Sequence, residues 1–142
     1  MSGFRHLDHI SEAYIEAYGR NLEEAFENAG KGMFDVMTDV AKVEPKEAVD
    51  VEVEGEDKQS LLMEWLSELL FLFDTTGMVF SNFKVEIQRK PEGGFKLRAK
   101  AYGEAFNPEK HPARVEVKAV TYSLMEIKEE EGKATVRFVL DI

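Results

Sequence analysis

Apolar and polar residues recur along this chain with periods that change several times, and each change marks an element. In the last nine residues, Ala134, Val136, Phe138, Leu140 and Ile142 share one side of an extended backbone. Thr135, Arg137, Val139 and Asp141 share the other. That predicts a C-terminal strand with one core face. Near the other end, Phe4 to His9 reads as a short extended segment. Glu12 to Tyr18 alternates again, with Ala13, Ile15 and Ala17 opposite Glu12, Tyr14, Glu16 and Tyr18. The period then lengthens. Asn21 is a helix N-cap with Glu24 in capping-box position, and Leu22, Ala25, Phe26, Ala29, Met33, Val36, Met37 and Val40 form an apolar stripe. Gly30 and Gly32 weaken this helix unless close packing or a bend requires them. Met37-Thr38-Asp39 ends it.

Pro45 marks a loop, and Ala48 to Val53 alternates as a strand with Val49, Val51 and Val53 inward. Gly55-Glu56-Asp57 is a turn leading to a second helix from Lys58 to about Asp74. Its apolar residues cover more than half its circumference, which predicts burial on two sides. The remainder reads as β. Met78 to Gln88 is a strand with an irregularity at Ser81-Asn82. Lys90 to Gly94 is a hairpin turn, and Phe95 to Tyr102 returns. Gly103 to Arg114 is a loop, Val115 to Lys128 a long strand, and Glu129 to Lys133 an acidic turn. The expected architecture is α+β, a single domain over 1–142 with two helices packed on a mixed, largely antiparallel β-sheet.

Composition narrows the function classes. A chain of 142 residues can bury about 68–70% of its unfolded surface as one domain. There is no Cys, which excludes a disulfide frame, a thiol nucleophile and a Cys-based metal site. No basic-then-apolar leader opens the chain, and the central apolar helix is too short and charged to span a bilayer. A soluble cytoplasmic protein without a membrane partner is expected. The formal net charge of −10 opposes phosphate backbones, so direct nucleic-acid binding is not expected, whereas cations and basic protein surfaces suit it.

The sequence holds no phosphate loop, nucleophile elbow or zincin pattern. His6-x-x-His9-x-x-Glu12 has ligand-like spacing, but residues three apart in an extended segment face opposite ways. The carboxylates that stand out are Glu12 at a strand start, Asp39 at a helix end, and Asp141. Asp141 is followed only by Ile142, which sets a side-chain carboxylate beside the last backbone oxygens. Such hard oxygen donors suit Ca2+ or Mg2+. Lys118, in Glu116 to Ser123, is read either as half of a cross-strand ion pair or as a lysine facing a carboxylate or phosphate. A metal-dependent hydrolase built on Glu12, Asp39 and Asp141 is disfavoured, because no positioned base or phosphate cradle accompanies them.

Several blocks together resemble the archease family. They are Asp8-His9 with Glu12, Ala17-Tyr18-Gly19, Leu22 to Phe26, Met37-Thr38-Asp39, and Trp65 to Leu70. Gly103-Glu104, His111-Pro112, Glu116 to Tyr122 and Leu140-Asp141-Ile142 follow in order. The resemblance implies a non-catalytic activator of the GTP- and metal-dependent tRNA-splicing RNA ligase. Its expected partner is that ligase's catalytic subunit. The activator would promote guanylylation of the ligase histidine, multiple turnover and broader nucleotide use. It also implies a divalent cation, Ca2+ before Mg2+ or Mn2+, on Glu12, Asp141, Ile142 and, with less support, Asp39. His9 and Lys118 become candidates for partner contact or activation. The chain departs from the family at one ligand, reading His9-Ile10-Ser11-Glu12 where the family has His-Thr-Ala-Asp. The alternative is a general chaperone or scaffold for nucleic-acid-processing enzymes.

Overall fold

The computed structural model describes residues 2–7 and 12–142. The strands are β1 (Gly3–Leu7), β2 (Glu12–Gly19), β3 (Glu47–Gly55), β4 (Met78–Arg89), β5 (Phe95–Ala105), β6 (Ala119–Glu130) and β7 (Lys133–Asp141). The helices are α1 (Leu22–Met37) and α2 (Lys58–Thr76), with a 3-10 turn at Val40–Lys42. Two helices accompany antiparallel strands, as the alternation patterns require. The strands form two sheets rather than one mixed sheet: β1-β2-β7-β6 and β3-β5-β4, with every described pair antiparallel.

Local chemistry sets the helix boundaries. Asn21 Oδ1 accepts the Glu24 N–H at 2.9 Å, but the Glu24 carboxylate reaches one residue further back than a capping box requires. It accepts from the Arg20 backbone and guanidinium. Asp57 makes the reciprocal box with Ser60, and Gly77 closes α2 in the left-handed region at φ 73°. Close packing accounts for both glycines of α1. A Cβ on Gly30 would meet the Phe83 ring at 2.9 Å, and one on Gly32 would meet Ile15 at 2.9 Å.

These contacts set α1 across the inner face of the first sheet and against β4, where the Glu27 carboxylate accepts the Val85 N–H at 2.9 Å. The helix α2 contacts both β3 and β6, which explains its wide apolar face. Trp65 is fully buried, and its indole N–H donates to the Phe26 carbonyl at 2.9 Å, tying the helices together. The register of β4 against β5 shifts between Phe80 and Asn82, where the irregularity was expected.

Three strand readings are corrected. β5 runs on to Ala105, and β6 begins only at Ala119, so 112–118 is irregular backbone and Lys118 does not lie within a strand. The cause is the partner strand: Ala119 already pairs with Asp141 at the end of β7, and the Lys118 N–H takes the Asp141 carbonyl, so β7 reaches no earlier residue. The N–H groups of Arg114 and Val115 instead donate to Met37 O at 3.0 Å and Val36 O at 3.2 Å, satisfying carbonyls at the end of α1. Val139, on the outward parity of its strand, is fully buried, standing in an inner strand between Tyr14 and Thr121.

Candidate functional site

The C-terminal strand alternation and the β2 alternation meet in register. β2 pairs antiparallel with β7 so that Glu12 is directly opposite Asp141. Residues so opposed project from one face with Cβ atoms roughly 4.5–5.5 Å apart, and like charges there destabilise a sheet. Two acidic residues opposed in this way, followed at once by the backbone oxygens of Ile142, offer oxygen donors of the hard kind that a divalent cation prefers. The residues therefore fit such an ion as part of its shell. The Asp141 carbonyl also accepts the Lys118 N–H at 2.7 Å, bringing the Lys118 backbone to the same strand end.

Asp39 arrives by a different route. α1 turns back over β2, placing Gly32 on Ile15 and its own C-terminus toward the Glu12 end of the strand. Asp39 then caps the 3-10 turn, its Oδ1 accepting from Ala41 N–H at 3.1 Å and its Oδ2 lying 4.0 Å from the Arg114 guanidinium. Arg114 also donates to the Asp35 carbonyl at 2.9 Å and stands 3.3 Å from the Asp35 carboxylate, which His6 approaches from β1 at 3.2 Å. Arg114 is thus held by Asp35, with Asp39 at its outer reach. Among the described residues no group of three or more Asp, Glu or His gathers closely enough to hold a metal ion. His9 lies outside the described residues.

The sequence reading assigned no role to a second constellation that holds the neighbouring segment. His111 is fully buried, and its Nδ1 accepts the Asn107 N–H at 2.9 Å. That leaves the ring proton on Nε2, 2.9 Å from Glu104 Oε2. The same carboxylate accepts the Glu44 N–H at 2.9 Å and pairs with Lys110 at 2.8 Å. Burial alone would raise the Glu104 carboxyl. The Glu44 N–H, the Lys110 ammonium and the His111 ring together overcome that cost and hold it down to about 2. The cluster pins 104–111 to the body, and 112–118 leads from it to α1 and Asp141. The sequence signal available was the pair of family-like blocks Gly103-Glu104 and His111-Pro112, which names the residues but not their contact.

Beside that segment an apolar recess of about 250 Å³ opens, lined chiefly by Met37, Phe73, Val79, Phe106 and Val115, with Arg114 and Glu116 also on its wall. Across the outer face of the first sheet, Glu16 is clamped between Arg5 at 2.7 Å and Arg137 at 2.8 Å. The Arg5 hydrogen bond, opposed by burial and joined by Arg137, lowers the Glu16 carboxyl below the usual range. No described helix is long and apolar enough to cross a membrane.

Comparison with known proteins places this arrangement. The family model described as the Archease protein family matches residues 4–142. The chain is 49% identical to Protein archease of Thermococcus kodakarensis and 46% identical to that of Sulfolobus acidocaldarius, each over the full length of both chains. Its fold superposes on the solution structure of Protein 1598 of Methanobacterium thermoautotrophicum with a TM-score of 0.86. The two are 48% identical, and the match covers 99% of each chain. A crystal structure of a Thermotoga maritima archease, described as a possible chaperone, shares the fold at a TM-score of 0.60 and 15% identity, over 97% of this chain and 96% of that one. The chain belongs to the archease family.

Proposed function

We propose that this protein is a non-catalytic activator of the GTP- and metal-dependent tRNA-splicing RNA ligase. It docks on the catalytic subunit, promotes guanylylation of its histidine, and supports repeated turnover with broader nucleotide use. It acts in the cytoplasm and does not itself contact RNA. The observation that carries the reading is the register of Glu12 against Asp141, in a chain that matches the family from Phe4 to Ile142. Glu12, Asp141 and backbone oxygen of Ile142 would hold a divalent cation, Ca2+ in first place and Mg2+ or Mn2+ as alternatives. Asp39, whose Oδ1 caps the 3-10 turn, would be the further ligand. A bound cation supplies positive charge that offsets the opposed carboxylates and offers a hard Lewis-acidic point at the surface.

The chain's own residues do the remaining work. β2 and β7 hold the two carboxylates in fixed opposition, and the Lys118 N–H holds the Asp141 carbonyl. Lys118, exposed and with its backbone held at the same strand end, would offer its ammonium to a partner's carboxylate or phosphate. An activator of this kind works by binding the guanylylation-competent ligase more tightly than the resting one. The acidic surface suits a ligase whose nucleotide and RNA sites are basic.

The test is a ligase assay with GTP and metal, run with and without this chain. Multiple turnover rises if the proposal holds, and equal rates in both arms would overturn it. Asp141→Ala should weaken a calcium titration and the stimulation together. The reading of a general chaperone, favoured by the description of the Thermotoga maritima relative, predicts instead that unrelated clients are kept from aggregating.

A further inference from the structure

The strand β6 does not follow β7 evenly. Thr121 pairs with Val139 and Glu126 with Arg137, so Tyr122, Ser123, Leu124 and Met125 together stand opposite Phe138 alone. An ordinary bulge inserts one residue. This larger one drives Leu124 to φ 55°, a left-handed conformation in which a branched side chain crowds its own backbone. Leu124 is the sole described non-glycine residue with positive φ. The strain is not repaid by burial, since Leu124 is 51% and Tyr122 57% exposed. A strained segment that presents bulky apolar groups to water is accounted for more readily by recognition than by stability.

Its position agrees. Ala119, two residues before Thr121, pairs with Asp141, so the bulge begins roughly 7 Å along the strand from the Glu12–Asp141 pair. Beyond it 126–133 carries Glu126, Glu129, Glu130 and Glu131 against Lys128 and Lys133, with Lys58 paired to Glu129 and Lys128 4.0 Å from Glu130. Acid still outnumbers base there, in a chain whose formal net charge is −10. We infer that Tyr122 and Leu124 form a docking knuckle that enters an apolar recess bordered by basic side chains on the partner protein. This rests on the ligase reading and adds to it the surface that docks. Charge selects this occupant. A second copy would bring acid against acid, and anionic lipid or nucleic acid would be repelled likewise.

The full-length chain is tested as Leu124→Gly, Tyr122→Ser and, as a control at an exposed apolar site on α2, Phe71→Ser. Three readouts are taken: melting temperature, calcium titration, and the concentration giving half-maximal stimulation of purified ligase. Glycine accepts φ 55° freely, so Leu124→Gly should melt at or above the parent temperature. Both knuckle variants should need about tenfold more protein for half-maximal stimulation, which corresponds to about 1.4 kcal/mol. Calcium titration and the Phe71→Ser variant should match the parent. Parent-like stimulation by both knuckle variants overturns the knuckle while leaving the ligase reading intact. A parent chain that neither binds nor stimulates the ligase overturns both. A Leu124→Gly variant that loses stability and stimulation together makes Leu124 structural, and a parent dimer that the variants dissolve makes the knuckle a contact between copies. Either result overturns the inference.

Discussion

Removing the Glu104 carboxylate should be among the costliest single changes outside the apolar core. Glu104→Ala strips the acceptor from three donors: the Glu44 N–H, the His111 Nε2–H and the Lys110 ammonium. Holding a carboxyl near 2 rather than its ordinary 4.5 links roughly 3 kcal/mol of stability to its ionised form. Leaving a buried charged network without one partner costs about 3–5 kcal/mol in other proteins, so two independent routes reach the same size. For a chain of this length that corresponds to a fall in melting temperature of roughly 6–12 °C. Because the folded value lies below the unfolded one, the contribution is fully present above about pH 4.5 and is lost as pH falls toward about 2. The gap between parent and variant should therefore be flat from about pH 5 to about pH 8 and narrow below pH 4.5. Thermal melts followed by the fluorescence of Trp65, the single tryptophan, measure both quantities. A variant that melts within about 2 °C of the parent at neutral pH, or a gap that widens on acidification, would refute the account.

Three further outcomes follow from single contacts. Glu27→Gln keeps an acceptor for the Val85 N–H but removes a carboxylate whose titration burial pushes up. Its melting temperature at neutral pH should equal or exceed the parent's, and the difference should vanish below about pH 4.5. Gly103→Ala drives a Cβ well inside van der Waals distance of the Val79 carbonyl on β4, where no side chain can yield. A loss of about 3 kcal/mol or more in denaturant titration is expected, and a loss under about 1 kcal/mol would show that the β4–β5 pair can shift. Trp65→Phe leaves the Phe26 carbonyl without its indole donor and shrinks a fully buried side chain. A cost of about 1–3 kcal/mol should appear in the same titration, monitored by circular dichroism.

Local chemistry made much of the fold legible from the residues alone. The period of apolar positions separated the two helices from the strands. Asn21 and Asp57 announced their helix starts through side chains that bond backbone three residues away. Gly93 and Gly94, at φ 105° and 81°, turned the β4–β5 hairpin where it was expected. Each of these features depends on neighbours within a few residues. The division into two sheets does not, because alternation reveals a strand's faces but not its lateral partners. The irregular course of 112–118 has the same origin. Its alternation resembles a strand, yet the Arg114 and Val115 N–H groups go to a helix end because β7 runs out at Asp141.

The site divides along the same line. Its residue types were visible in the sequence: an acid at a strand start, another one residue from the end, and a family pattern linking them. Their meeting was decided by β2–β7 pairing across nearly the whole chain length, which no local pattern encodes. Tertiary packing likewise drew Asp39 toward Arg114, set His111 on Glu104, and swelled β6 into the bulge at Leu124. In each case the deciding energy is a through-space hydrogen bond, ion pair or steric limit, and its partner becomes known only when the chain is folded.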